Sequence, residues 1–356
     1  MSVGIYAVDG SNFRKTKVYP LNLCKTAFMK HLKITLFAIV AMGSVATASA
    51  QAKKKFKGKP IEAGFTLGGS NYFGDLSKTV AIGETHLMGG LICRFQYNDF
   101  LTLRGNAVYG AISGDDKNFK DDLAFIHKDA ADLPLEITRG QRNLNFRSDI
   151  VEFSAIGEWN ILGYEESTRT RPYTPFLFAG IGVYKFNPKS QFFYMDGVRD
   201  ATGALIHNAQ LQQFDGQWIE LQTLSTEGQE TTKFNDRKRY NLTQVSIPLG
   251  VGFKQQVDDY WAYGIEFGVR KTFTDYLDDV SLDYVDDQIV GGANGYLAAA
   301  MKDRSSELIN PNTGLPYERF YMGNPRGSMK GSDYYMFLNF TLTRKIMGGK
   351  TVCFQF

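Results

Sequence analysis

The octapeptide YGIEFGVR at residues 263–270 alternates strictly. Tyr263, Ile265, Phe267 and Val269 fall on one side; Gly264, Glu266, Gly268 and Arg270 fall on the other. A two-residue period is that of a strand with two unlike faces. The same signature recurs at residues 61–69, 86–97, 100–111, 149–161, 240–254 and 333–346. In 149–161 it sets Val151, Phe153, Ala155, Trp159 and Ile161 against Glu152, Ser154, Glu158 and Asn160. Residues 173–186 form one more candidate strand, apolar on both faces with small residues interleaved, so its orientation stays open.

The links between these segments alternate in length. Residues 98–99, 163–172 and 255–259 are short connections, whereas 70–85, 112–148, 187–239 and 271–332 are long. Compact globular domains seldom carry several loops of that length. Outer-membrane barrels do, pairing short periplasmic turns with long extracellular loops around an even number of strands. Each segment is also close to the length of about nine to eleven residues that crosses a bilayer when tilted. The expected fold is therefore all-β: an eight-stranded antiparallel transmembrane β-barrel over residues 61–356, with short periplasmic turns and long extracellular loops. A soluble β-sandwich shares the alternation. The loop asymmetry and both chain termini favour the barrel.

Met29–Lys33 is a short basic stretch, residues 34–46 are mostly apolar, and Ala48-Ser49-Ala50 is a small-x-small exit. Residues 29–50 thus read as a secretory signal peptide, with 1–28 an upstream extension and 51–60 a basic periplasmic linker. The chain ends Cys353-Phe354-Gln355-Phe356, and Phe354 and Phe356 match an outer-membrane assembly signal. Outer-membrane localisation follows as an expectation, with membrane lipid and the barrel assembly machinery as partners. Cys93 and Cys353 are too few and too far apart for a disulfide framework or a zinc site and are expected to be free. With a net charge of +3, nothing marks a nucleic-acid partner.

If the Ile265 face meets lipid, then Glu62, Arg94, Arg104, Glu152, Glu158, Lys254, Glu266 and Arg270 point inward. An eight-stranded lumen is only wide enough to be filled by side chains. Paired there, both signs of charge form an ion-pair network that holds the barrel in register; a narrow gated pore is the alternative. His86, His127 and His207 stand beside no serine or acid in a nucleophile pattern. They read as exposed structural histidines, so no enzyme and no cofactor is expected. Asp275, Asp278, Asp279 and Asp283 invite a calcium reading, but their spacing is not that of an EF-hand. A solvated loop exit, or hydrogen bonds to neighbouring loops, accounts for them better. Within the loops, Lys120–Ala131 and Tyr296–Met301 have helical character, and Phe192, Phe193 and Tyr194 argue for a short hairpin.

Several stretches, taken in order, resemble the PorG-like outer-membrane barrels of Bacteroidetes. They are AGFTLGGSNYFGDL (63–76), PFLFAGIGVYKFNP (175–188), WIELQTLSTEGQ (218–229), IPLGVGFK (247–254), RKTFTDYLDDVS (270–281), GNPRG (323–327) and DYYM (333–336). The resemblance implies an anchor or accessory component of the type IX protein secretion apparatus that contacts its periplasmic ring. It brings no catalytic residues with it. A stand-alone small porin or an OmpA/OmpX-like adhesin barrel is the alternative. A periplasmic partner has access to the linker, the short turns and the C-terminal end. The turn 163–172 is longer than a tight hairpin needs, and its Glu165, Glu166, Arg169 and Arg171 are the candidate docking residues.

Overall fold

The computed structural model of the chain describes residues 61–128, 134–164, 171–199, 205–207, 209–258, 260–328 and 331–346. Eight long strands dominate: β1 (Ile61–Phe73), β2 (His86–Gln96), β3 (Leu101–Asp115), β4 (Asn145–Asn160), β5 (Tyr173–Lys185), β6 (Thr243–Gln256), β7 (Trp261–Thr272) and β8 (Tyr334–Ile346). They pair in the order β3-β2-β1-β8-β7-β6-β5-β4, and β4 returns to β3, so the sheet closes on itself. Every pairing is antiparallel. The β1–β8 seam runs from Ile61↔Ile346 to Phe73↔Tyr334, and the β3–β4 seam from Leu101↔Trp159 to Asp115↔Asn145. Closure removes the unpaired edges that an open sheet would present.

The alternation of the sequence becomes inside and outside. Along β4 every second residue from Phe146 to Asn160 is buried or nearly so, while Val151, Phe153 and Trp159 are exposed. Large apolar side chains cover the outer wall all round, with Phe65 67%, Phe153 63% and Ile181 59% exposed. β5, whose orientation the sequence left open, turns Phe176, Phe178 and Tyr184 inward and Leu177, Ile181 and Val183 outward. Space for its rings comes from glycine on the adjacent strand: Gly252 lies opposite Phe176 and Gly250 opposite Phe178. A Cβ on either glycine would lie 2.4 Å from the facing ring.

Two of the short turns share one device. Asn98 accepts hydrogen bonds from the backbone N–H of Phe100 and Leu101, at 2.9 and 2.7 Å. Asp258 does the same for Tyr260 and Trp261, at 2.7 and 2.8 Å. These are side-chain mimics of a backbone turn, which Asn and Asp make readily.

At the other end the four long connections fold together into a cap. The first spans residues 74–85, the second 116–144, the third 186–242 and the fourth 273–333. Leu277, Val280 and Met301 from the fourth pack with Phe192 and Leu211 from the third, Leu144 from the second, and Tyr72, Phe146 and Phe337 of the strand ends. Two short helices, Asp287–Asn294 and Tyr296–Lys302, lie in the fourth connection, the latter where helical character was expected. Among the described residues no helix is long and apolar enough to cross a membrane.

The cap differs from the sequence expectation in three places. Leu123–Lys128 is a strand paired with Pro134–Thr138, not helical as the spacing of Lys120–Ala131 suggested; residues 129–131 lie outside the described residues. Helical spacing there places Phe125 on a core anyway: it packs against Tyr284 and Phe320, at ring distances of 6.2 and 5.1 Å, and the extended hairpin delivers it. The local ladder expected at Phe192–Tyr194 sits one step earlier, where Pro188–Gln191 pairs with Trp218–Glu220 and with Arg147 and Ser148 of β4. Phe192 itself is buried in the cap core. Finally, β6 starts at Thr243 rather than Tyr240. Tyr240 leaves the barrel to stack on Tyr276 and Phe186, at 4.8 and 6.0 Å.

Candidate functional site

The barrel interior is the most elaborated polar site in the molecule. Glu62 of β1, Arg94 of β2, Arg104 of β3, Glu152 and Glu158 of β4, Lys254 of β6, and Glu266 and Arg270 of β7 all point inward, none more than 4% exposed. Glu158 is the hub. It accepts from Arg94 Nε at 3.0 Å, Arg104 Nη1 at 2.9 Å and Lys254 Nζ at 2.7 Å. Arg104 reaches across the lumen to Glu266 at 2.5 Å, and Asn339 donates to the same carboxylate at 2.9 Å. Glu62 accepts from Thr343 at 2.9 Å and lies 3.9 Å from Arg94. Nearer the cap, Glu152 accepts from Arg270 Nε at 3.2 Å and from the Tyr335 hydroxyl at 2.8 Å.

Four cations face four carboxylates, so the formal charge of this set is zero. A charge deprived of water is tolerated only when paired and hydrogen-bonded. The cations also lie over aromatic faces: Arg104 over Phe178 at 4.8 Å, Arg270 over Phe337 at 4.1 Å, and Lys254 over Tyr164 and Phe176 at 4.8 and 5.3 Å. Ion pairs and rings thus lie together inside the barrel. Residues widely separated in sequence, such as Arg104 and Glu266, are joined by these contacts, which hold non-adjacent walls of the barrel at a set distance.

At the short-turn end, Arg171 is exposed, while Glu165, Glu166 and Arg169 lie outside the described residues. So do the signal segment, the linker, Phe354 and Phe356. Cys93 is a free, exposed thiol on the outer wall, and Cys353 is also outside the described residues.

The acidic stretch is neither a solvated exit nor a convergent ligand set. Asp278 and Asp279 are buried. Asp278 accepts from the Tyr72 hydroxyl at 2.7 Å and from Val280 N at 2.9 Å. Asp279 accepts from Thr226 and Tyr240 hydroxyls at 2.6 and 2.8 Å and lies 3.5 Å from Arg326. Asp275 accepts from Ser281, and Asp283 from Arg237. Asp278 thus serves β1, Asp279 and Asp283 the third connection, and Asp275 its own connection, so the hydrogen-bonding alternative holds for most of the stretch. Among the described residues no group of three or more His, Cys, Asp or Glu is arranged to hold a metal ion.

The histidines correct the sequence expectation. His207 is buried, not exposed, between Phe192 and Tyr194. Its Nδ1 accepts from Met195 N at 3.1 Å. Burial, then the nearby Arg319, pushes it down to about 4, so the ring is neutral at physiological pH. His86 does stand beside a serine and an acid, which spacing along the chain concealed. Its Nε2 lies 2.6 Å from Ser113 Oγ, and Ser113 donates to Glu84. The carboxylate engages the serine, where a catalytic relay would have it orient the imidazole. The trio ties the first long connection to β2 and β3. The side chain of His127 is outside the described set.

No curated protein sequence matches the chain. Among solved structures it is similar to Ail, the attachment invasion locus protein of Yersinia pestis, solved with the heparin analogue sucrose octasulfate. That likeness has 6% identity and a TM-score of 0.31, over 81% of this chain and 97% of that one. It is similar also to Neisserial surface protein A, with 8% identity and a TM-score of 0.31 over 80% and 97% of the two chains. The N-terminal β-barrel domain of Pseudomonas aeruginosa OprF gives 9% identity and a TM-score of 0.28 over 81% and 98%. By sequence, residues 34–202, which carry β1 through β5, match a family described as a domain of unknown function (DUF6089).

Proposed function

We propose that the chain is a non-conducting outer-membrane barrel that acts as an anchor, with its long connections outside the cell and its short turns in the periplasm. The observation that carries this reading is the pairing of an apolar outer wall with a lumen filled by a balanced set of charges. A closed barrel satisfies its backbone groups internally, which hydrocarbon demands of any spanning segment. A wall of exposed Phe, Leu and Ile in water would be an aggregation site, whereas in a bilayer it is the required surface. The matching of charges inside leaves no single-sign lining of the kind that ion channels use.

Planar-bilayer recording tests this. The purified barrel should show no stable conductance, and a reproducible open-channel state would favour a porin instead. The finer role, an accessory part of the type IX secretion apparatus, rests on the sequence resemblance to PorG-like barrels. In that role the turn 163–172 would meet the periplasmic ring. A barrel with this turn cut to a minimal hairpin should fold yet lose its periplasmic partners in pull-downs. Full retention of those partners would remove the turn as the docking site.

A further inference from the structure

The outer wall of the barrel carries a furrow on one side. Ala63 of β1, Cys93 of β2, Gly105 of β3 and Ala155 of β4 face one another in successive strand pairs and form its floor. In the next row toward the cap stand Phe65, Leu91 and Phe153, and in the next row toward the short turns Ile61, Phe95 and Leu103. All six are exposed, so a line of small residues runs between two ridges of large ones. The hollow measures about 670 Å³ over β1 to β3 and about 610 Å³ over β2 to β4.

Barrel packing does not require the floor to be this small. Gly90, Gly180 and Gly250 are forced, because a Cβ on any of them would run into the backbone of an adjacent strand. At Gly105 a Cβ would find nothing nearer than 4.0 Å, and at Gly157, in the row beside it, nothing nearer than 3.9 Å. Glycine inside a strand weakens it and often marks a place where a ligand comes close. No neighbouring strand claims the space over Gly105, which leaves it to an occupant from outside.

One charge stands at the low end of the furrow. Arg344 of β8 lies in register between Ala63 and Trp261 and lines the same hollow. Among the described outward residues in the half of the wall nearer the short turns, it is the one charge. Its guanidinium lies over the Trp261 ring at 5.6 Å, and among the described residues no carboxylate pairs with it. Trp261 opens β7 directly after a short turn, a level at which tryptophan marks the boundary between hydrocarbon and headgroups. An arginine is costly in the middle of a lipid-facing wall and nearly neutral at that boundary. On β4, Gly157 and Trp159 lie between Ala155 and the turn end, so the furrow climbs from Arg344 toward the middle of the wall. Crossing four strand spacings, it is roughly 19 Å long. Half of the hydrocarbon core is roughly 15 Å thick.

We propose that the furrow holds one anionic phospholipid of the periplasmic leaflet, its phosphate on Arg344 and one acyl chain along the floor. A guanidinium takes a phosphate through two N–H groups at once, which matches the uncompensated cation at the end of an apolar groove. A second copy of the barrel would bring only another apolar wall and would leave Arg344 without an anion. The site deepens the outer-membrane reading and rests on it.

The test uses the full mature chain, and flotation with phosphatidylcholine vesicles first checks the membrane reading on its own. Native mass spectrometry of the barrel in maltoside micelles then follows titration with phosphatidylglycerol and, separately, with diacylglycerol, which has the same chains and no phosphate. One saturable phosphatidylglycerol adduct is expected, with diacylglycerol bound more weakly. Arg344→Gln should weaken phosphatidylglycerol about fivefold and leave diacylglycerol unchanged. Gly105→Leu, at a position with room for a Cβ, should fill the furrow and weaken both. Each variant is checked for the heat-modifiable folded form, and the Arg344→Gln comparison decides alone if Gly105→Leu does not fold. A barrel that floats yet shows no saturable adduct, binds the two lipids equally, or keeps its phosphatidylglycerol affinity in Arg344→Gln overturns the proposal. A two-chain species abolished by Gly105→Leu also overturns it, giving the face to a second copy. Failure to float would instead remove the membrane reading beneath it.

Discussion

Phe178 of β5 and Gly250 of β6 sit directly opposite one another, and the phenylalanine ring occupies the space a side chain at residue 250 would fill. Gly268 on β7 underlies the same ring, 2.6 Å from where its Cβ would stand. The ring therefore covers two neighbouring strands, and Arg104 lies over it at 4.8 Å. Glycine in a strand interior is otherwise unfavourable and often marks such close approach.

Gly250→Val should therefore stop the barrel from closing, because its Cβ would meet the β7 backbone, 2.3 Å from the Phe267 carbonyl oxygen, as well as the Phe178 ring at 2.4 Å. Expression as inclusion bodies should not matter to the measurement. Refolding into detergent, read as the gel shift between heated and unheated samples, should fall sharply for Gly250→Val and stay low in Gly250→Val with Phe178→Ala, because the backbone clash remains. Wild-type refolding of the single variant would show that both the ring and the β7 backbone can give way.

Glu158 provides a second prediction. Removing a hub that three cations share leaves buried charge uncompensated, which costs about 3–5 kcal/mol. Glu158→Gln should lower the urea midpoint of unfolding in detergent by a corresponding amount. The exposed pair Lys189–Glu220, 3.2 Å apart in the cap, supplies the contrast. Glu220→Gln should change stability by about 0–1 kcal/mol. Equal effects from the two would mean that the lumen is wet enough to screen Glu158.

The cap should loosen as pH rises. The Tyr72 hydroxyl lies 2.7 Å from Asp278 and 3.0 Å from Asp333, and one hydroxyl proton serves only one of them. Burial, reinforced by Asp333 and Asp75 around Asp278 and by Asp275 and Asp75 around Asp333, raises both acids well above the usual carboxyl range. A carboxyl whose pKa is raised by folding keeps protons that the unfolded chain has released, so stability falls with rising pH up to the folded value. Asp275, at about 7, completes its share near neutrality. His207, pushed down to about 4, works in the opposite direction, but only below its ordinary value of about 6.5. Above neutrality, past Asp275, the downward slope falls to the buried acids raised well above the carboxyl range, Asp278 and Asp333 foremost. Limited proteolysis of the cap should accelerate over that range, and Asp278→Asn should flatten the response. A pH-independent rate in the wild type would remove the shared proton.

The barrel was legible because its rule is local. A period of two, read strand by strand, placed Ile265, Phe267 and Val269 outside and Glu266 and Arg270 inside, as they are in the structure. The alternation of link length supplied the topology in the same way. The cap followed no such rule. Phe125 takes its conformation from Tyr284 and Phe320, far along the chain, so a helical spacing could equally be met by a hairpin. The burial of Asp278 and Asp279 depends on Tyr72 of β1 and on Thr226 and Tyr240 of the third long connection, all far away in sequence.

The orientation of the barrel gives a final prediction. Asn312 lies exposed in the fourth long connection and Asn98 in the short turn between β2 and β3, at opposite ends of the strands. Single cysteines at these positions, in a chain with Cys24→Ser, Cys93→Ser and Cys353→Ser, report which end faces outward. A membrane-impermeant maleimide on whole cells should label Asn312→Cys and leave Asn98→Cys untouched until the outer membrane is opened. The reasoning is that outer-membrane barrels keep their short turns in the periplasm and carry their longer connections outside the cell. Labelling of Asn98→Cys in intact cells would invert the barrel, and with it the assignment of the 163–172 turn to the periplasm.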